Sequence, residues 1–188
     1  MRVLLLLLFL LIPVVSYGET WREYCKKKGV EEAVVKAILL AEGYREGNLI
    51  YPYVVRINGR KPGREVLDFF NRQVQKYHLA SSPVVRIKGW GTLYRCPSRE
   101  VCVLFADYLV KLGFKNIDLG PFQINYGVWH KRYKNLIQKA FDINESAKIC
   151  CDIVGENVKK FGYNANAVAL YHSATPDKNY RYAVRIFR

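Results

Sequence analysis

Glu42 is the side chain of this sequence whose type and position best suit acid–base chemistry. It follows Val35 and Ile38 at intervals of seven and four residues, so on a helix it projects from the apolar stripe. The following Gly43 predicts that the helix ends here, where the helix dipole disfavours negative charge. Burial and the dipole together favour a neutral carboxylic acid that can protonate a leaving oxygen. The alternative is an ordinary solvated acid at a frayed helix end.

Two later segments carry polar groups suited to a hydroxylated ligand. Residues 116–125 (Asn-Ile-Asp-Leu-Gly-Pro-Phe-Gln-Ile-Asn) contain a Gly-Pro pair that predicts a sharp turn, which presents Gln123 and Asn125. Amides donate and accept hydrogen bonds, and therefore suit hydroxyl and N-acetyl groups. Residues 169–176 (Ala-Leu-Tyr-His-Ser-Ala-Thr-Pro) predict a helix that ends in Tyr and His and lines a cleft. Taken alone, each segment is equally typical of a polar loop or a packed tyrosine.

In this order and spacing, the segments resemble the lysozyme-like lytic transglycosylases, the catalytic domain of the soluble enzymes, and above all their type IV secretion-associated branch. The resemblance runs from about residue 30 to residue 188. The family's catalytic Glu-Ser pair is similar to residues 42–43, and its Gly-Leu-Met-Gln-Ile-Asn motif, preceded in this branch by Asn-Ile-Asp-x-Gly, is similar to residues 116–125. The Ala-Tyr-His signature resembles residues 170–172, and the branch's Tyr-Pro…Asn-Gly hairpin resembles residues 51–59.

Three departures from the family pattern stand out. Gly43 replaces the serine that helps to organise the catalytic glutamate, so that support must come from elsewhere in this chain. Pro121 and Phe122 replace Leu-Met, which keeps apolar bulk beside the glycan groove and stiffens the loop. Residues 62–88 are inserted between the predicted hairpin strands, and the resemblance assigns them no role.

The resemblance implies cleavage of the β-1,4 bond between N-acetylmuramic acid and N-acetylglucosamine in bacterial peptidoglycan. Glu42 would protonate the leaving oxygen while the acetamido group of the substrate stabilises the developing cation. Glu42 would then act as a base as the muramic 6-hydroxyl attacks C1, which leaves a 1,6-anhydro end. Such a mechanism needs no second carboxylate. Tyr171 would orient Glu42 or the acetamido group.

The same resemblance assigns substrate binding to residues around the central motif. Gln123 and Asn125 would hold the sugars, with Asp118 as a further binding candidate. Tyr126 and Trp129 are candidates for stacking on sugar rings, although packing in the core is an equal alternative for both. No cofactor or metal is implied. The expected partners are glycan strands and components of an envelope-spanning secretion or pilus machine.

Two other functions are compatible with the sequence. A goose-type lysozyme would share the fold and the glutamate but use water as nucleophile, positioned by an extra carboxylate such as Asp118 or Glu46. A non-catalytic wall-binding assembly protein would suit the basic surface and the missing serine. A nucleic-acid binder is the most distant interpretation, because an exported protein rarely meets nucleic acid as a substrate.

Periodicity predicts a predominantly helical α+β domain over residues 19–188 with a small β-hairpin region, and the resemblance implies that it is lysozyme-like. Apolar stripes and capping residues predict helices at 31–42, 66–77, 98–112, 142–161, 164–171 and from 176 onward. Residues 51–57 and 84–93 are rich in β-forming side chains and are predicted to pair, with Asn58-Gly59 as a turn.

Residues 1–18 have the features of a secretory signal peptide. A basic start precedes an apolar run at 3–12, then Pro13 and the small residues Ser16 and Gly18 at the −3 and −1 positions of the expected cleavage site. The run is shorter than the roughly 20 residues of a membrane span, and an uncleaved anchor is the alternative. Cleavage would leave 170 residues with a net charge of +13, because Arg2 is the only charged side chain removed. We therefore expect a periplasmic or secreted protein with a polyanionic partner.

The five cysteines are an odd set for an exported protein: Cys25, Cys96, Cys102, Cys150 and Cys151. We expect one or two disulfides at most, and the spacing does not assign their pairing. Three of the five lie in apolar helical stretches, which is typical of small buried side chains. The three histidines are far apart and there is no Cys-x-x-Cys pair, so the pattern lacks zinc-ligand spacing.

Overall fold

The computed structural model describes residues 19–46, 49–59, 61–75, 77, 84–87 and 91–187. The predicted signal peptide and part of the predicted insertion lie outside these residues. The described chain is mainly helical with a small antiparallel sheet, which confirms the predicted α+β class. The finer likeness to lysozymes stays a prediction.

The bounds of the six predicted helices are close to those expected from periodicity. The helices are α1 (Trp21–Lys27), α2 (Glu32–Glu42), α3 (Arg64–Val74), α4 (Arg99–Lys111), α5 (Tyr126–Trp129), α6 (Leu136–Ala140), α7 (Ile143–Phe161), α8 (Ala165–Ala169) and α9 (Pro176–Phe187). The strands are β1 (Arg45–Glu46), β2 (Leu49–Ile50), β3 (Val54–Ile57), β4 (Val84–Ile87), β5 (Gly91–Arg95), β6 (Ile117–Leu119) and β7 (Ile124–Asn125). The helices α1, α5 and α6 and the short strands β1, β2, β6 and β7 were not predicted.

Side-chain caps set the starts of three helices as predicted. Ser98 accepts a hydrogen bond from the backbone N–H of Val101 at the start of α4. Asp142 accepts a hydrogen bond from the N–H of Glu145 at the start of α7, and Asn164 accepts one from the N–H of Ala167 at the start of α8. Each cap satisfies a backbone donor that the first helical turn leaves without a partner. These starts are therefore encoded locally.

The sheet is larger than the predicted hairpin. Its strands run in the order β4-β5-β3-β6-β7, and every neighbouring pair is antiparallel. Residues 84–93 were predicted as one stretch, but they contribute to two strands that pair with each other, and only β5 pairs with β3. Gly59 has the positive φ of a turn residue, +73°. The next element along the chain is the helix α3, however, and not the second strand of a hairpin. The prediction of a simple hairpin was therefore incomplete.

The predicted insertion packs onto the body of the protein through α3. The ring of Phe69 stacks on that of Tyr108 in α4 with a centroid distance of 3.8 Å. Phe70 is fully buried against Tyr94 of β5 and Phe105 of α4. This aromatic cluster joins the inserted helix to the sheet, so α3 is part of the core and not a peripheral addition.

Two disulfides fix the helical part of the chain. One joins Cys25 in α1 to Cys151 in α7 and the other joins Cys96 to Cys102 in α4. Two bonds agree with the expected upper limit. Cys102 and Cys151 are therefore bonded rather than small packed thiols, whereas Cys150 is a buried free cysteine. Of the described helices, none has both the length and the apolar character needed to cross a membrane.

Candidate functional site

Glu42 lies at the centre of a cleft between the helical part and the sheet. Two cavities of about 730 and 620 Å³ meet there, and Glu42, Arg56, Gln123 and His172 line both. We call the larger cavity the arginine side, because Arg45 and Arg185 line it together with Leu40, Leu93 and Ile186. We call the other the amide side, because it is lined by Asn58, Asn116 and Asn125, with Trp129 and Lys178.

Glu42 is the last residue of α2, and its side chain is only 6% exposed. The residues that share its face of the helix, including Val35 and Ile38, are buried as their spacing predicts. The helix ends at Gly43, whose N–H donates to the carbonyl of Leu39 over 2.8 Å. The carboxyl group is therefore held in the wall of the cleft, and it is not the solvated acid of a frayed helix end.

His172 contacts the carboxyl group of Glu42 directly. Its Nδ1 lies 3.0 Å from Oε1 of Glu42. One hydrogen joins the two atoms: either Nδ1–H donates to Oε1, which leaves Oε2 to carry the carboxyl proton, or a protonated Oε1 donates to Nδ1. The imidazole also stacks on the ring of Tyr182, with a centroid distance of 4.6 Å and an angle of 7°. Tyr182 thus fixes the plane of the ring that contacts Glu42.

Groups that stay neutral surround Glu42 on its buried side. Burial, followed by the nearby Glu42 charge, raises the pKa of Tyr182 and of the Cys150 thiol. Burial also raises the pKa of Tyr171 well above its usual value, with smaller contributions from Cys150 and Glu42. All three groups therefore remain protonated at neutral pH.

The position of Gly43 explains why no serine follows the glutamate. A Cβ atom at this position would lie 2.6 Å from the carbonyl oxygen of Leu39 and 2.7 Å from Cγ2 of Ile50. A serine side chain therefore does not fit without moving α2 or β2. The polar contact that the structure gives Glu42 comes instead from His172, 130 residues later in the chain.

The loop before β7 presents Gln123 to both sides of the cleft. Gln123 has a φ of 50°, in the left-handed region that non-glycine residues seldom adopt. Its Nε2 donates to the carbonyl of Gly120 over 2.8 Å. The residue is 7% exposed, and within the described residues its buried Oε1 has no hydrogen-bond partner. A buried acceptor without a partner is costly, so Oε1 of Gln123 is an unsatisfied polar atom in the wall of the cleft.

Asp118 and Asn125 are held by a network of hydrogen bonds. The two oxygens of Asp118 accept bonds from Arg56, Asn58 and Asn125 at 2.6–2.9 Å. The amide of Asn125 also donates to Asn116, and its oxygen caps α5. Both side chains line the amide side of the cleft, but their polar atoms chiefly join β3, β6 and β7. The side chain of Glu46 lies outside the described residues.

The three aromatic candidates occupy different places. Tyr171 donates its hydroxyl hydrogen to the carbonyl of Phe122 over 2.7 Å and so joins the end of α8 to the Gln123 loop. Trp129 is half-buried and lines the amide side. Tyr126 stacks on His130, with a centroid distance of 4.9 Å, and does not line either cavity. The structure therefore brings Trp129, but not Tyr126, to the cleft.

Sequence reasoning singled out the Tyr-His dipeptide but retained only Tyr171 as a site residue. The structure places His172 on Glu42, a contact between residues 130 positions apart. Arg45 and Arg185 were also missed, because isolated arginines in a basic sequence carry no local signal. Across the described residues there is no group of three or more His, Cys, Asp and Glu side chains that could hold a metal ion.

No protein-family model matches this chain, and comparisons with curated proteins and with solved structures find no match.

Proposed function

We propose that this protein is a peptidoglycan lytic transglycosylase in which Glu42 is the catalytic acid and base. The observation that carries the proposal is the placement of one largely buried carboxyl group at the junction of two cavities, in contact with His172. A cleft with amides on one side suits a chain of N-acetylated sugars, since amides pair with hydroxyl and acetamido groups. The motif resemblance described above supports the same chemistry.

In the first step, Glu42 gives its proton to the glycosidic oxygen and the bond from that oxygen to C1 breaks. The carbonyl oxygen of the substrate's own acetamido group bonds to C1 and holds the positive charge. Gln123, which lines both cavities, orients this group. Glu42 is now a carboxylate, and the Nδ1–H of His172 stabilises it by donating a hydrogen bond.

In the second step, Glu42 removes the proton of the muramic 6-hydroxyl group. O6 then bonds to C1 as the bond between C1 and the acetamido oxygen breaks. The product is a 1,6-anhydromuramoyl end, and Glu42 is again protonated. The cycle needs no second carboxylate. This fits a cleft in which the other described carboxyl group, Asp118, is occupied by Arg56, Asn58 and Asn125.

The hydrolytic alternative, a goose-type lysozyme, requires a carboxylate free to position water. Asp118 accepts four hydrogen bonds from protein groups, which makes it a poor candidate for that task. A non-catalytic wall-binding protein remains the second alternative. Binding to the wall does not require a buried carboxyl–imidazole pair, and burying such a pair costs desolvation free energy. The transglycosylase proposal therefore explains both the bonded Asp118 and the buried Glu42–His172 pair, which the two alternatives do not.

We place the protein in the periplasm or outside the cell. The two disulfides suit an oxidising compartment, and the sequence predicts a signal peptide at residues 1–18. A net charge of +14 for the full chain suits an anionic cell wall. We infer a role in opening the wall locally as an envelope-spanning secretion or pilus machine is assembled.

Digestion of purified sacculi followed by mass spectrometry of the soluble products tests the proposal. We expect muropeptides with 1,6-anhydro ends, which are lighter by one water than the hydrolytic products. Reducing ends would show a lysozyme. Binding to sacculi without release of any muropeptide would show a wall-binding protein.

His172 is expected to act as a positioning residue for Glu42. The substitution His172→Ala removes the contact and should lower kcat about 10- to 100-fold with little change in KM, because misplacing a catalytic group by about 1 Å costs this much. His172→Asn places an N–H close to the former Nδ1 and should restore part of the rate. Steady-state kinetics on soluble glycan strands measures both values.

His172→Gln is the matched control for this prediction. Its amide reaches the former position of Nε2, which is the ring nitrogen that does not contact Glu42. If Asn and Gln at this position lose the same activity, the Nδ1 contact has no specific role and His172 merely fills space against Tyr182.

A further inference from the structure

The two sides of the cleft differ in chemistry. The amide side is lined by the four amide side chains of Asn58, Asn116, Gln123 and Asn125. Its cations are Lys178 and Arg56, and Arg56 is paired with Asp118. The arginine side combines exposed Leu40 and partly buried Ile186 with the guanidinium groups of Arg45 and Arg185. Uncharged sugars require hydrogen-bonding groups but no pair of cations. The arginine side therefore suits a different part of the ligand.

The cations of the arginine side are available for an anionic ligand. Arg45 and Arg185 are exposed, and neither forms an ion pair within the described part of the chain. Arg56, at the junction, is already paired with Asp118. Among the described residues that line this side, Glu42 is the single carboxyl group, and it also lines the amide side. Away from the residues that line both sides, this cavity is therefore cationic with an apolar wall.

We propose that the arginine side binds the peptide attached to the muramic acid, a proposal that rests on the function proposed above. This peptide combines small apolar side chains with free carboxylates. Guanidinium groups bind carboxylates in a planar, bidentate manner, and Leu40 and Ile186 offer contact to methyl groups. The peptide branches from the muramic residue, whose C1 must lie beside Glu42 for the proposed reaction. Its carboxylates can therefore reach the adjoining arginines while the sugars occupy the amide side.

The consequence is a preference for glycan strands that still carry their peptides. Sugars alone would fill the amide side and leave the arginine side without a partner. Each hydrogen bond to a charged group adds a net stabilisation equivalent to about tenfold in binding. We therefore expect kcat/KM for peptide-bearing strands to exceed that for bare strands by about tenfold or more.

The test compares three soluble substrates made from the same glycan strands. The first carries free peptides, the second has been stripped of them by an amidase, and the third has its peptide carboxyl groups converted to amides. The rate of formation of anhydro ends is measured for each. We expect both the stripped and the amidated strands to fall to about one tenth of the peptide-bearing strands or less.

The double variant Arg45→Gln/Arg185→Gln should abolish this preference, so that the three kcat/KM values become similar. The double variant Arg64→Gln/Arg181→Gln is the matched control. It removes the same charge from α3 and α9 at positions 94% and 82% exposed, which do not line the cleft. It should keep the preference of the unmodified protein.

Each outcome has a distinct meaning. Equal rates on the three substrates, or a preference that survives Arg45→Gln/Arg185→Gln, would overturn the peptide site and leave the proposed function intact. Amidated strands that react as fast as peptide-bearing ones would overturn the role of the arginines. The absence of anhydro ends from all three substrates would instead contradict the proposed function itself.

Discussion

The substitution Glu42→Gln is expected to reduce the release of muropeptides from sacculi by about 100- to 10 000-fold, the usual contribution of a positioned general acid–base. Glutamine has nearly the shape of glutamate, and its amide oxygen can still accept a hydrogen bond from Nδ1 of His172. It cannot transfer a proton to the glycosidic oxygen. We therefore expect the fold and the binding of substrate to persist while the chemistry stops.

Glu32→Gln provides the matched control for this substitution. Glu32 begins the same helix that Glu42 ends, has a side chain that is 39% exposed, and contacts Arg22 and Lys36. Exposed ion pairs contribute little to stability, so this variant should remain fully active. Co-sedimentation with sacculi measures binding independently of cleavage. Muropeptide release by Glu42→Gln at the rate of the unmodified protein would show that another group is the acid.

The substitution Gly120→Ala is expected to have the largest effect on stability. Gly120 has a φ of +69°, and an added Cβ would overlap the carbonyl oxygen of Ala140. Because both the left-handed backbone and the overlap disfavour a side chain, we expect the free energy of unfolding to fall by about 2–4 kcal/mol. For a domain of this size, we expect the Tm to fall by about 5–15 °C. Relief of the overlap must also displace the loop that carries Gln123, so activity should fall as well.

Gly113→Ala separates the two causes. Gly113 follows the C-terminal end of α4 and has a φ of +83°, but an added Cβ there would meet no atom within 4 Å. We expect a loss of about 1 kcal/mol, from the backbone conformation alone. Thermal and urea unfolding of both variants measures the difference. Equal destabilisation by the two substitutions would show that the contact with Ala140 does not constrain the loop.

Local sequence determined the helices and the placement of Glu42. The stripe of Val34, Val35, Ile38 and Ala41 selects the buried face of α2, and Glu42 shares that face because helical periodicity leaves no other choice. The caps at Ser98, Asp142 and Asn164 act within three residues of themselves. Such signals depend on neighbours in the chain, which is why they could be read without a structure.

Only the tertiary structure decided what surrounds Glu42. The contact with His172 and the disulfide between Cys25 and Cys151 join residues 130 and 126 positions apart. Their formation depends on how α1, α2, α7 and α9 pack, and no short-range pattern encodes that packing. Asp118 illustrates the same limit, because its pairing with Arg56 follows from the register of β3 on β6. Residue types and local spacing thus determined the candidate acid, whereas long-range packing determined its partner and the two sides of its cleft.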